Sequence, residues 1–164
     1  PVDRRELVDM EADLAPYRLL IENGLAGVMV SHVVFPQLDS LPASLSPRWI
    51  RGVLRDELRF QGAVFADDLS MKGAATAVGD VVERCRLALE AGCDVLPICN
   101  DRQSVLEVLQ RLDVPLDPAS AMRRARLRGR PLADAAQLRQ QPRWLAGQEL
   151  LARAAAPPPL TLQA

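Results

Sequence analysis

Hydrophobic positions in the first third of the chain follow two spacings in turn. Apolar residues recur every three or four positions through residues 7–23, and Asn23-Gly24 is a stop signal, so we predict a helix there. The next apolar run, residues 26–30, is short and rich in β-branched side chains. Such a run is typical of a buried strand in a parallel sheet.

The same alternation continues to about residue 112. Further apolar runs predict strands at residues 62–66 and 93–99, and residues 35–47, with three prolines, predict a loop. We predict helices that begin at Ser46-Pro47, at Asp80 and at Ser104, and these end near residues 58, 91 and 112. The order α-β-α-β-α-β-α indicates an α/β fold with parallel strands and right-handed crossovers. Periodicity alone leaves open whether the sheet is a barrel or an open sheet.

Polar residues follow all three predicted strands. Barrels and open α/β sheets both place their active sites at the carboxyl ends of parallel strands. Of the three pairs, Asp67-Asp68 is the most informative, because adjacent carboxylates after an apolar strand either carry chemistry or cap a turn. Strand geometry predicts that one faces the mouth of the sheet while backbone amides or a cation hold the other. The pairs are Ser31-His32, Asp67-Asp68 and Asn100-Asp101.

Composition excludes several classes of function. The 164 residues carry 20 basic and 21 acidic side chains, so no overall positive field favours nucleic acid. Residues 123–130 form a basic run that either binds an anionic partner or is a solvated helix face. We favour the solvated face, because no aromatic residues interleave the arginines. No apolar run is long enough to span a membrane.

The cysteine and histidine content argues against a metal site. Cys85, Cys93 and Cys99 form no CxxC pair, and His32 is the only histidine. A structural zinc site is therefore not expected, and we interpret the cysteines as buried thiols in a reducing cytosol.

Residues 62–74 read Gly-Ala-Val-Phe-Ala-Asp-Asp-Leu-Ser-Met-Lys-Gly-Ala. This segment resembles the nucleophile segment of β-N-acetylhexosaminidases of glycoside hydrolase family three. The resemblance extends back through Val-Ser-His-Val-Val-Phe-Pro-Gln-Leu-Asp at residues 30–39 and forward through residues 91–102, and it covers the chain to about residue 112. Two departures are Ala66, where the family usually has Ser, and Pro97 inside the third predicted strand.

The resemblance implies the C-terminal sector of a (β/α)8 barrel and a retaining glycosidase. Asp67 is then the catalytic nucleophile, Asp68 a structural neighbour and Met71 a substrate-binding residue. His32 either binds substrate or orders the barrel mouth at a strand end. The implied reaction removes terminal β-linked N-acetylglucosamine from muropeptides during peptidoglycan recycling in the cytoplasm. It needs no cofactor and no metal, and no nucleic acid or membrane partner is expected.

Part of the family's machinery has no counterpart in this sequence. The family's acid/base is a His-Asp pair on a loop after a Lys-His-Phe-Pro-Gly-His-Gly segment, which is absent here. We therefore expect residues 1–112 to be the C-terminal part of a barrel, residues 113–156 a helical extension and residues 157–164 a flexible Pro-rich tail. The rest of the barrel is then the expected partner, and the chain alone is expected to be inactive. The alternative is a non-catalytic α/β binding or assembly module derived from the family.

Overall fold

The computed structural model describes residues 1–114, 117–129 and 134–155. The chain divides into two compact units, residues 1–128 and residues 129–164. The first contains a 3-10 turn, Leu7–Met10, and a π-helix, Arg48–Glu57, besides regular helices and strands. In chain order these are α1 (Glu11–Glu22), β1 (Gly27–Val30), β2 (Ala63–Ala66), α2 (Lys72–Ala77), α3 (Val81–Ala91), α4 (Arg102–Arg111) and α5 (Pro118–Arg126).

The two strands lie side by side and run parallel, as the sequence predicts. Gly27 is opposite Ala63 and Val30 is opposite Ala66, so both strands end at the same edge. The amide of Asp67 then donates to the carbonyl of Val30 at 3.0 Å. The residue after β2 is therefore fixed to the end of β1.

The third predicted strand is present only as a single parallel bridge between Phe65 and Val95. The segment runs beside β2, since Ala66 N donates to Val95 O at 3.0 Å and Leu69 N donates to Pro97 O at 2.9 Å. The prediction of a regular strand over residues 93–99 is nevertheless wrong. Pro97 has no N–H to donate, which interrupts the hydrogen-bond ladder.

The first strand is less buried than its apolar sequence suggests. Met29 is 59% exposed, and the rest of β1 is half-buried. Within the described residues β1 pairs along one edge only, with β2, so one of its faces and one of its edges remain open. A fully apolar run therefore indicated the strand correctly and its burial incorrectly.

The helix signals vary in how well they hold. Asp80 caps α3 by accepting from Val82 N at 3.0 Å, and α3 ends at Gly92, whose φ of 113° suits glycine. The predicted helix after Ser46 forms, and the Ser46 hydroxyl accepts from Trp49 N at 3.2 Å. It is wound as a π-helix, however, rather than as an α-helix. The short helix α2 lies between the second predicted strand and the helix at Asp80, where the sequence pattern predicts no helix.

The core of the first unit lies between β2, the π-helix and α3. It includes Ile50, Val53, Phe60, Val64 and Leu69 among its most buried members. Burial of this apolar surface holds the helices against one face of the sheet, as expected for a barrel sector.

Two of the three cysteines belong to this core. Cys85 and Cys93 are buried, whereas Cys99 is exposed. Burial raises the pKa of Cys85 to about 11 and that of Cys93 to about 12. The interpretation of all three as buried thiols is wrong for Cys99, which lies just beyond the strand-like segment.

The start of the basic run is not a solvated face. Arg123, on α5, donates to the carboxylate of Asp94 at 2.9 Å, and Arg124 donates to Ser120 Oγ at 2.5 Å. Ser120 lies on α5 itself, so the second bond is internal to the helix. Arg123, together with Arg124 through a bond to the carbonyl of Asp94 at 3.3 Å, attaches α5 to the rest of the first unit. Arg126 and Arg128 are exposed, as the prediction for a solvated face requires, and Arg130 lies outside the described residues.

The second unit contains two described helices, α6 (Ala135–Arg139) and α7 (Pro142–Ala155). Asp134 caps α6 by accepting from Gln137 N at 2.8 Å. The predicted Pro-rich tail, residues 157–164, lies outside the described residues, and the predicted boundary at residue 112 stays a prediction. Across the described helices of both units, none is long and apolar enough to cross a membrane.

Candidate active site

The carboxyl ends of β1, of β2 and of the third segment, residues 93–99, meet at Asp68. Its carbonyl oxygen contacts Nε2 of His32 at 2.9 Å, which connects it to the residues after β1. Its carboxylate accepts from the amide of Cys99 at 3.0 Å, which connects it to the third segment. Ser70 completes the site, donating to the same carboxylate from its amide at 3.0 Å and from its hydroxyl at 2.7 Å.

These donors determine the charge of Asp68. Partial burial raises the pKa of the Asp68 carboxyl, but hydrogen bonds from the Cys99 amide and from Ser70 outweigh it and leave that pKa below its ordinary value. Asp68 is therefore ionised at neutral pH, and both of its oxygens are occupied. These contacts fit the expectation that one carboxylate of the pair is held by backbone amides.

Asp67 has a different environment, although it is the adjacent residue. One carboxylate oxygen accepts from the amide of Asp68 at 2.8 Å, and the side chain is half-buried at the carboxyl end of β2. Among the residues that the structure describes, no Arg or Lys forms an ion pair with it. One carboxylate oxygen of Asp67 is thus left for contact with another molecule.

His32 is buried, with 4% of its surface exposed. Its Nδ1 lies 2.6 Å from the hydroxyl of Ser44, and its Nε2 contacts the Asp68 carbonyl. Both ring nitrogens are therefore engaged within the protein. Of the two roles considered for His32, this geometry favours ordering the barrel mouth over direct contact with a substrate.

The remaining strand-end residues lie around this group. Met71 is 46% exposed and lies directly before α2. Asp101 caps α4 by accepting from Ser104 N at 3.0 Å. Asn100, just before it, has a φ of 57°, so the chain turns sharply there. Asp101 thus has the capping role that the sequence left as one possibility for strand-end acids.

Sequence reasoning missed Ser44, Ser70 and Cys99. The Asp-x-Ser spacing at residues 68–70 is a known turn signal and could have identified Ser70. Ser44 and Cys99 gave no such signal, because each is distant in sequence from its partner. Ser44 bonds to His32 and Cys99 bonds to Asp68, and only the fold brings these residues together.

An apolar cleft in the first unit lies away from these residues. It has a volume of about 240 Å³ and is lined by Tyr17, Val28, Trp49 and Leu58 among others, but not by Asp67, Asp68 or His32. Asp67 and Asp68 do not line this cleft, and both residues are half-buried. In the part of the chain that the structure describes, no three His, Cys, Asp or Glu side chains group closely enough to hold a metal ion.

An acidic pair at the carboxyl end of a parallel strand, beside a strand-end histidine, is the arrangement expected of an α/β-barrel hydrolase. The chain belongs to glycosyl hydrolase family 3, since the family model described as "Glycosyl hydrolase family 3 N terminal domain" matches residues 1–126. The resemblance carried by residues 62–74 is thus confirmed.

Individual relatives agree with this assignment. The chain is 50% identical over 132 residues to a Beta-hexosaminidase of Thiobacillus denitrificans, with 80% of this chain and 36% of the relative covered. It is 43% identical over 154 residues to a Beta-hexosaminidase of Nitrosospira multiformis, with coverages of 93% and 44%. The chain therefore spans less than half of the curated relatives it matches.

A solved structure confirms the fold. NagZ from Neisseria gonorrhoeae, in complex with N-trifluoroacetyl-D-glucosamine, superimposes with a TM-score of 0.77 at 37% identity. The match covers 96% of this chain and 46% of that one. The prediction of an α/β barrel sector is confirmed at this level.

Proposed function

We propose that this chain supplies the nucleophile side of a retaining β-N-acetylhexosaminidase active site, with Asp67 as the nucleophile. The observation that carries the proposal is the contrast within the acidic pair. Asp68 is fixed by several donors, whereas Asp67 keeps a carboxylate oxygen without a protein partner at the carboxyl end of β2. A nucleophile must be held in position and still reach the substrate, and Asp67 meets both requirements.

The chemistry follows from that carboxylate. An oxygen of Asp67 attacks the anomeric carbon from the face opposite the leaving group, the glycosidic bond breaks, and a covalent glycosyl-enzyme forms. Water then attacks the same carbon and releases Asp67, so the product keeps its anomeric configuration. Protein side chains and water suffice for this route, which is why we expect neither a cofactor nor a metal.

The leaving oxygen also needs a proton. His32 is the only histidine in the sequence, and both of its ring nitrogens are engaged, so we do not assign it this role. The family resemblance places the acid/base on a His-Asp loop, and the rest of a barrel is then the partner that supplies it. Without general acid catalysis, we expect this chain alone to hydrolyse the glycosidic bond ~10²–10⁴-fold more slowly than a site that includes the acid/base.

For the substrate we propose terminal β-linked N-acetylglucosamine of muropeptides, hydrolysed in the cytoplasm during peptidoglycan recycling. The names of the relatives and the sugar analogue bound by the gonococcal structure support an N-acetylated hexosamine. The exposed side chain of Met71 is proposed to line the sugar pocket. No nucleic acid or membrane is proposed as a partner.

Trapping the intermediate tests the nucleophile. A chimera would join this chain to the remaining residues of the gonococcal NagZ and react with a fluorinated N-acetylglucosaminyl fluoride, whose leaving group departs without protonation. Peptide mass spectrometry should locate the sugar on Asp67. The matched control, Asp101→Asn, alters another strand-end acid and should label normally. A label on Asp68 or elsewhere, or no label at all, would overturn the assignment and favour a non-catalytic module.

A further inference from the structure

His32 lies between two segments that flank the acidic pair. On one side is the 3-10 turn Ala43–Leu45, which contains the fully buried Ser44. On the other side is the segment after Asp68, where a Cβ added at Gly73 would lie 3.2 Å from the Cβ of His32. The imidazole therefore fills the space between these segments, and a larger neighbour could not be accommodated without a shift.

The hydrogen-bond partners assign the proton on the ring. A carbonyl oxygen can only accept, so the contact at 2.9 Å requires Nε2 of His32 to donate to Asp68 O. In the neutral ring Nδ1 is then unprotonated, and at 2.6 Å it accepts from the hydroxyl of Ser44. Ser44 is itself anchored, because its amide donates to the carbonyl of Ser31 at 3.1 Å.

The Asp68 carbonyl belongs to the turn that orients Asp67. It also accepts from the amide of Met71 at 3.0 Å, so two donors fix its direction. The Asp68 amide in the same turn holds one oxygen of Asp67 at 2.8 Å. Rotation of this turn would therefore redirect the carboxylate of Asp67.

We propose that His32 is a positioning residue: anchored by Ser44 as the Nε2–H tautomer, it fixes the Asp68 carbonyl and thereby the direction of the Asp67 carboxylate. The inference rests on the proposed role of Asp67 as nucleophile. His32 contacts neither substrate nor the reacting atoms in this scheme. Its effect is to keep the attacking oxygen aligned, and a misplacement of about 1 Å can cost about 10²-fold in rate.

The tautomer can be measured without any activity. Since His32 is the only histidine, histidine-selective ¹⁵N labelling of the full chain gives a single imidazole in the NMR spectrum. At about pH 8 we expect a protonated Nε2 and an unprotonated Nδ1. In Ser44→Ala, the Nδ1 resonance should move towards that of a free acceptor nitrogen. The Nδ1–H tautomer, or averaging between the two tautomers, would overturn the proposal.

Two substitutions separate positioning from general stability, assayed in the chimera with an aryl N-acetylglucosaminide. The amide nitrogen of Gln reaches the place of Nε2, whereas that of Asn reaches only the place of Nδ1. We expect His32→Asn to lower kcat by about 10²-fold with little change in KM. His32→Gln should recover most of that loss. A merely structural role would lower the melting temperature while leaving kcat per folded molecule the same in both variants.

The outcomes distinguish the two proposals. If Asp67 is labelled but His32→Asn keeps its kcat, the positioning role is overturned and the nucleophile stands. If the tautomer is as expected but Asp67 is never labelled, the nucleophile assignment fails and the positioning role fails with it. Equal loss in His32→Asn and His32→Gln would also contradict the proposal, because only one of them lacks the donor.

Discussion

The two ends of the parallel strands carry aspartates in opposite circumstances. At the carboxyl end, Asp67 is half-buried and bonded through one oxygen to the next amide. At the amino end, the Asp94 side chain is 1% exposed and bonds to Arg55 at 3.0 Å, to Arg123 at 2.9 Å and to the amide of Val64 at 2.8 Å. One carboxylate is available for reaction, whereas the other is saturated.

The electrostatics of Asp94 confirm that its role is structural. Burial alone raises the pKa of the Asp94 carboxyl, yet hydrogen bonds from Arg123, Val64 and Ser120 lower it below its ordinary value. Arg55 also stabilises the amino ends of the strands, because it donates to the carbonyls of Phe60 and Gly62 at 2.8 and 2.7 Å. In α/β barrels, the amino ends of the strands serve stability and the carboxyl ends serve chemistry. The contacts of Asp94 fit the first half of that division, and the proposed role of Asp67 fits the second half.

We expect the largest effect from a substitution at the carboxyl ends of the strands. In the chimera, Asp67→Asn should lower kcat/KM by on the order of 10⁴-fold or more, because an essential member of the catalytic unit is lost. Its melting temperature, followed by circular dichroism, should stay close to that of the parent. Asp68→Asn should be milder in turnover and less stable, since it weakens the hydrogen bonds from Ser70 and Cys99. Equal kinetic losses in both variants would contradict the contrast within the pair.

We expect the next largest effect from a substitution at the amino ends of the strands. Asp94→Asn leaves Arg55 without its anionic partner and leaves Arg123 with Asp117, 3.6 Å away. The side chains of the two arginines are only 16% and 22% exposed. We expect the free energy of unfolding, measured in urea, to fall by about 2–4 kcal/mol. This is slightly less than the loss typical of a fully buried ion pair, because both arginines are partly exposed to solvent. Glu107→Gln, which removes an exposed pair with Arg111, is the matched control and should change stability little. An equally small loss in Asp94→Asn would show that the hydrogen bonds and ion pairs of the Asp94 carboxylate are dispensable for stability.

Lowering the pH tests the structural role of Asp94 in a second way. Because the folded-state pKa of Asp94 is lowered from 3.8, its contribution is fully present above the unfolded-state pKa and is lost as pH falls through the folded value. The parent should therefore lose stability below about pH 4, relative to Asp94→Asn. Urea unfolding between about pH 6 and pH 3 measures this. A constant difference between parent and variant across that range would refute the linkage.

The smallest expected effect concerns the thiols. A disulfide reagent should modify Cys99 in the folded chain, while Cys85 and Cys93 should react only after unfolding. Partial desolvation and the neighbouring Asp68 carboxylate raise the pKa of Cys99, so its reaction should be slow at neutral pH. Asp68→Asn removes that charge and should speed the reaction of Cys99. Rapid modification of all three cysteines in the folded chain would contradict the burial found for the other two.

Local sequence patterns were reliable where one segment decides its own structure. Asp80 at the start of α3 and Gly92 after its end were both read directly from the chain, because capping and left-handed backbone are properties of single positions. The family resemblance through residues 62–74 likewise located Asp67 and Asp68. Pro97 was noted as unusual inside the third predicted strand, but the strand was predicted all the same, and only a single bridge forms there within the described residues.

Contacts between distant segments were beyond those patterns. The burial of β1 was overestimated, because hydrophobicity does not tell how many neighbours a strand has. Arg123 looked solvent-exposed by its basic surroundings, yet α5 brings it to Asp94, 29 residues earlier.

The sequence by itself determined the family, the position of the acidic pair and the alternation of α1, β1, β2, α3 and α4 along the chain. The tertiary structure alone decided which member of that pair is restrained. Asp68 is fixed because parallel pairing brings Cys99 and His32 to it from 31 and 36 residues away. The carboxylate of Asp67, within the described part of the chain, receives its neighbour's amide alone. Hydrogen bonds between such distant residues depend on the fold, and so does the difference in chemistry between two adjacent, identical side chains.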